Sequence, residues 1–95
     1  MIERDGDRFL VKGAVTLDNV LDLLEAGTRL FKDQATIVDF SHATDVDSSA
    51  LSLMLEWTRR AHRRGAGIRF TNLGESISSL TQLYGIETLL PLTAE

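Results

Sequence analysis

Asp47-Ser48-Ser49 stands immediately before apolar residues at helical spacing, so a carboxylate and two hydroxyls gather where a helix begins. Asp and Ser oxygens accept hydrogen bonds from the unpaired N–H groups of a first helical turn, so one of the two serines is expected to cap this helix. A serine placed there also meets backbone donors and the positive end of the helix dipole, which stabilise an added phosphate. Phosphorylation would bring about −1.5 to −2 charges at pH 7, and a partner docked on the helix mouth would feel them. The chemistry on offer is therefore binding, with a possible switch at Ser48 or Ser49.

Other chemistries fit less well. Asp45-Val46-Asp47-Ser48-Ser49 is superficially similar to the D-x-D-x-[ST] motif of haloacid-dehalogenase-like enzymes, whose first Asp is a nucleophile and whose acids hold Mg²⁺. That motif sits directly at a strand end in a much larger doubly wound domain. Here Ser41 to Thr44 intervene after the strand, and the chain is too short. A Ser/His/Asp hydrolase needs nucleophile, base and orienter in mutual contact. Only His42 and His62 are available, and no G-x-S-x-G elbow exists. His42 falls in the turn after the strand, near Asp47 and Ser48 in sequence, while His62 reads as a solvated residue in an arginine cluster. Asp39, Asp45 and Asp47 lack the spacing of an EF-hand loop, and solubility and capping account for them. No catalytic residue, metal site or cofactor is expected.

The elements that must position the serines follow from periodicity. Arg8 to Val11 read as a first strand after the turn-like Asp5-Gly6-Asp7, and Ala14-Val15 either continue it past Gly13 or form a second short strand. Thr16 reads as the N-cap of a helix from about Leu17 to Phe31, with Leu17, Val20, Leu21, Leu24, Leu30 and Phe31 as its apolar stripe. Gly27 weakens that helix by about 1 kcal/mol relative to Ala. Thr36 to Phe40 is the next strand, and the helix from Ser48 or Ser49 turns Leu51, Met54, Leu55, Thr58 and Ala61 to one side. Gly65 supplies its C′ residue, Ile68 to Thr71 the next strand, and Glu75 to Tyr84 a last helix with Ile77, Leu80, Leu83 and Tyr84 inward, stopped by Gly85. Ile86 to Leu92 is expected to pack back as a short strand or extended segment. Strands alternating with helices predict an α/β layer with a partly parallel sheet, in which about four strands pack against about three helices.

Arg59-Arg60-Ala61-His62-Arg63-Arg64 is the one strongly basic run. It reads as a solvated helix end favoured by the dipole, or as a surface for an acidic protein or anionic phospholipid headgroups. Trp57 either closes the core or anchors an interface.

Composition narrows the class. The 95 residues make one small domain, expected to span 1–95, and 43% apolar with 25% charged residues is ordinary for a soluble chain. A net charge of −4 argues against nucleic acid, and the absence of Cys removes disulfides, thiolate metal sites and thiol nucleophiles. The N-terminus lacks the apolar region of a signal peptide, and no run approaches the roughly 18 apolar residues of a membrane span. A cytoplasmic location is expected.

Ile37-Val38-Asp39-Phe40, then Val46-Asp47-Ser48-Ser49-Ala50-Leu51, the helix, Gly65 and Ile68-Arg69-Phe70 together resemble a STAS domain, the module of sulfate transporters and anti-sigma factor antagonists. The family pattern is an apolar strand, a short turn and Asp-Ser-[Ser/Thr]-Gly-Leu opening a helix; Ala50 stands where the pattern has Gly. The resemblance implies a single STAS-like domain over nearly the whole chain. In anti-sigma factor antagonists the second hydroxyl residue of the motif is phosphorylated by a partner kinase, which maps to Ser49. Asn72-Leu73, Ser79 to Ile86 and Leu90-Pro91 are similar to the small MlaB-like STAS subunit of the Mla phospholipid-transport system, where the hydroxyl directly after the Asp is the noted position, here Ser48. That resemblance implies a non-catalytic cytoplasmic subunit, peripheral to the inner membrane. It would bind the ATPase of an ABC transporter, with its permease, and serve outer-membrane lipid asymmetry. The expected partner-binding residues are Asp47, Ser48, Ser49, Leu51 and Ser52, with the arginine cluster around them. The alternative it implies is an antagonist bound to a serine kinase or anti-sigma factor and switched by phosphorylation.

Overall fold

Most of the apolar stretches rich in β-branched or aromatic residues become strands, and three- and four-residue apolar spacing becomes helix, in a computed structural model that describes residues 1–32 and 34–92. The order is β1 (Ile2–Asp5), β2 (Arg8–Val11), β3 (Gly13–Val15), α1 (Val20–Phe31), β4 (Thr36–Asp39), β5 (Ala43–Val46), α2 (Ser49–Arg63), β6 (Ile68–Thr71) and α3 (Gly74–Leu83), followed by a 3₁₀ turn at Glu87–Leu89. A four-stranded mixed sheet runs β1-β2-β4-β6, and β3 and β5 form a separate parallel pair. β1 is antiparallel to β2, whereas β2, β4 and β6 are mutually parallel, each parallel pair being bridged by a helix. No helix among the described residues is long and apolar enough to cross a membrane.

Two strands were not legible in the sequence. β1 has a single apolar residue, Ile2, and exists because its backbone pairs with β2 across a tight turn in which Gly6 takes φ 63°. β5 lies in the expected polar turn, held by parallel pairing of Ala43 with Gly13 and Val46 with Val15. Its partner β3 confirms Ala14-Val15 as a separate short strand. The segment from Ile86 ends in a 3₁₀ turn and a single parallel bridge of Leu92 to Phe70, with the Phe70 N–H donating to the Pro91 carbonyl at 2.9 Å. A proline can sit at that edge because only its carbonyl is used.

Alternation along the strands separates two faces. Phe9, Val11, Val38, Phe40, Ile68 and Phe70 join the core with the buried residues of all three helices. Trp57 closes this core. It is 2% exposed, meets Phe31 edge-on with ring centroids 5.1 Å apart, and Phe31 in turn meets Phe9 at 5.1 Å. Gly27 is what admits it: a Cβ there would lie 2.6 Å from the indole ring. The glycine that weakens α1 locally is therefore required by packing, and the helix runs through it to Phe31.

α1 begins at Val20, three residues later than expected, and Thr16 is not its cap. Asn19 organises the approach instead, its Oδ1 accepting from the Thr16 N–H at 3.0 Å and its Nδ2 donating to the Ala14 carbonyl at 2.8 Å. The inward stripe becomes Leu23, Gly27 and Phe31, which leaves Leu17 77% and Leu21 72% exposed. In α3, Ile77 and Thr81 face inward while Leu83 is 75% and Tyr84 57% exposed, so the expected inner face is rotated. The bounds of α2, Gly65 at φ 70° and β6 agree with the sequence reading, but the buried face of α2 takes in Leu53 and Trp57 beside Leu51, Met54, Thr58 and Ala61, while Leu55 is only half-buried.

The opposite sheet face has a polar lock. The buried Asp39 carboxylate accepts from the Ser41 N–H at 2.7 Å, Arg8 Nη1 at 3.0 Å and Asn72 Nδ2 at 3.1 Å. Burial pushes its pKa up, but the donors from Ser41, Asn72 and Arg8 together outweigh burial and hold it below the ordinary carboxylate value. The stability this contributes is present above the unfolded value of about 3.9 and is lost as pH falls through the lower folded value.

Two outcomes are expected in equilibrium denaturation. Gly27→Ala gains helix propensity but overpacks against Trp57, for a net loss of about 1 kcal/mol or more; a stabilised variant would contradict this packing. Asp39→Asn loses about 2 kcal/mol at pH 7, and its deficit relative to the native chain narrows below pH of about 4; a deficit constant with pH would contradict the charged lock.

Candidate functional site at the mouth of the second helix

Asp47 organises the mouth of α2. Its N–H donates to the Val15 carbonyl at 3.2 Å, extending the β3–β5 pairing to the helix start. Oδ1 accepts from the Ser49 N–H at 2.9 Å and from Ser49 Oγ at 2.5 Å, and Oδ2 accepts from the Leu17 N–H at 3.1 Å. The Ser49 hydroxyl is the main cause holding the Asp47 pKa below its usual value, followed by the Leu17 and Ser49 N–H groups. One carboxylate thus joins the β3–α1 loop to α2.

This corrects the expected capping role of the serines. Ser48 occupies the N-cap position with helical φ −64° and ψ −15° and makes no side-chain cap bond. A capping side chain needs the non-helical backbone that swings its oxygen over the first turn. Asp47, one residue earlier, supplies that oxygen through an Asx-type turn. Ser48 is left exposed, while Ser49 is half-buried and tied to Asp47.

The remaining expected residues separate by exposure. Leu51 is 5% exposed and belongs to the core, reaching the surface only as part of a groove wall. Ser48, Ser52 and Leu55 form the outward ridge of α2. On one side a groove opens toward Val20, Leu21 and Leu24 of α1, and on the other a groove opens toward Tyr84 and Ile86. Leu21, Leu55, Tyr84 and Ile86 were missed as site residues. Their signal was present in apolar stripes wider than a single packing face needs.

Other candidates lie apart from the mouth. Asp39 is spent in the sheet lock and Asp45 is exposed on β5. His42 is exposed beside Ser41, 3.2 Å from its Oγ, and His62 lines a cleft with Asp7, Thr36 and Arg69. Among the described residues neither histidine touches Ser48, Ser49 or Asp47. Three of the four clustered arginines form a fan on one acid: Glu56 accepts from Arg59 and from Arg60 at 3.0 Å, with Arg63 at 3.8 Å. Arg60, then the other two, hold the Glu56 pKa below its usual value.

The Asp47 clamp has a direct readout. Followed by NMR, its side-chain titration is expected to have a midpoint below about 3.9, and Ser49→Ala should raise that midpoint more than Ser48→Ala does. Equal effects of the two substitutions would contradict the clamp.

Comparison with known proteins agrees with this geometry. A family model described as "Mlab, STAS domain" matches residues 2–91. No curated protein matches by sequence. Among solved structures, the anti-sigma factor antagonist SpoIIAA in its unphosphorylated form has a TM-score of 0.72 at 17% identity, with 100% of this chain and 88% of that chain covered. A serine-to-glutamate variant of RsbS from Moorella thermoacetica has a TM-score of 0.65 at 17% identity, with 100% and 86% covered. At these identities the likeness is one of fold. Matched along almost its whole length, the chain belongs to the STAS-domain family, in the branch described by the Mlab model.

Proposed function

We propose that this chain is a non-catalytic STAS subunit that binds and regulates the ATPase of a phospholipid ABC transporter, through the mouth and outward ridge of α2. The observation that carries this reading is the ridge of exposed Ser48 and Ser52 with half-buried Leu55, which stands between two apolar grooves and is held at its start by the Asp47 clamp. Among the described residues no nucleophile, base and orienter come together at this ridge, which suits docking. The Mlab name of the family model supports a role beside an Mla-type transporter; on the resemblance to the MlaB-like subunit, the proposed partner is an ABC ATPase with its permease, the proposed place is cytoplasmic and peripheral to the inner membrane, and the proposed role is in outer-membrane lipid asymmetry.

A second reading is an antagonist of an anti-sigma factor or its serine kinase, switched by phosphorylation. Its support is the fold shared with SpoIIAA and the Ser48 hydroxyl, which is exposed at the helix N-terminus and has no hydrogen-bond partner among the described residues. Ser49 would have to release Asp47 to accept a phosphate.

Pull-down from the native host separates the two. An ABC ATPase with its permease is the expected catch, and Ser48→Tyr/Ser52→Tyr, which adds bulk without charge, should weaken that association at least about tenfold while leaving the thermal melt in place. Unchanged affinity would remove the docking face. Recovery of a serine kinase, with stoichiometric phosphate on the intact chain, would replace the first reading by the second.

A further inference from the structure

The grooves beside α2 differ from the rest of the surface in charge. Of the residues that line the two grooves, Arg59 alone is a cation, and the ten Lys and Arg of the chain fall within residues 4–12, 29–32 and 59–69. Asp18 just before α1 and Asp22 and Glu25 on it are exposed, with Arg29 one turn beyond Glu25; Asp45 on β5, Glu75 on α3 and Glu87 in the 3₁₀ turn are exposed as well. Only at its far end does the α1 groove meet a cation, Arg59, which is already paired with Glu56.

Within this acidic surround the apolar groups are exposed and held in place. Leu21 and Tyr84 flank the ridge, and Leu17 is fixed by the bond from its N–H to Asp47. Ser48 and Ser52 keep the N-terminal half of the ridge low, so a second helix can approach α2 closely there. Two grooves flanking a ridge are the surface into which the side-chain rows of another helix pack. Isolated exposed leucines are ordinary, but apolar residues that line adjoining grooves mark an interaction surface. An acidic rim attracts a cationic partner and disfavours an anionic one.

We propose that this face takes a helical segment of its partner whose apolar residues are flanked by Lys or Arg. The inference rests on the docking reading above and names the chemistry of the docked element. Apolar side chains enter the grooves toward Leu21 and Tyr84, and the flanking cations meet Asp18, Asp22 and Glu25.

The test uses the ¹⁵N-labelled chain and two synthetic amphipathic helices, one of Leu and Lys and one of Leu and Glu. The Leu/Lys helix is expected to shift the amide signals of residues 17–25, 48–56 and 84–86, with affinity falling as salt rises, while the Leu/Glu helix leaves them in place. Asp18→Asn/Asp22→Asn/Glu25→Gln should weaken Leu/Lys binding at least about tenfold with a native-like spectrum. Shifts centred elsewhere, equal binding of both helices, no binding of either, or full affinity in the neutralised variant would overturn the proposal. Failure here with ATPase binding still lost in Ser48→Tyr/Ser52→Tyr leaves the docking reading standing without this chemistry. Success here with unimpaired ATPase binding in that variant removes the docking reading instead.

Discussion

The arrangement of this molecule's surface depends on one carboxylate. Asp47 accepts bonds from its near neighbour Ser49 at the start of α2 and from Leu17 before α1, which is 30 residues away from it in sequence, while its own N–H continues the β3–β5 pairing. An Asx-type cap is local by nature. Here its second oxygen makes it tertiary. With Asn19, it fixes the loop that leads into α1, and it sets how α2 presents Ser48. The same donors hold its pKa below the ordinary carboxylate value, so the ionised clamp persists to more acidic pH than a free Asp would.

Stability is secured elsewhere, which leaves the helix mouth available for recognition. The core lies between one face of the sheet and three helices, with Trp57 seated over Gly27 and against Phe31. The other face is pinned by Asp39, whose donors come from β2 and from the chain just beyond β4 and β6. Neither device involves Ser48 or Ser52. Substituting those exposed serines therefore alters a surface and leaves the packing intact, as a docking face requires.

Much of this was legible in the sequence because local signals agreed with the global fold. Asp-Ser-Ser before apolar spacing placed the start of α2, Gly65 its end, and Ile68 to Thr71 the strand that follows. The motif around Asp47 placed the chain in its family. What was not legible depended on partners distant in sequence. β1 is polar and is a strand because β2 is beside it. β5 looks like a turn because only Gly13 to Val15 gives it a ladder. Gly27 reads as a flaw until the indole of Trp57 is placed over it. The outward leucines of α1 read as core because a stripe of Leu17, Val20, Leu21 and Leu24 satisfies helical periodicity whichever way the helix is turned. The cap was assigned to the serines when the neighbouring Asp supplies it, since residue type alone does not report the φ and ψ of Ser48.

The central claim is that partner contact is made through α2 and its flanking grooves. Hydrogen exchange of this chain, alone and in complex with the ATPase proposed as its partner, tests that claim most directly. The account predicts added protection in residues 17–25 and 48–56, with the strands of the open sheet face unchanged. Protection confined to that face, around Arg8, Ile37 and Arg69, with none on α1 or α2, would contradict it.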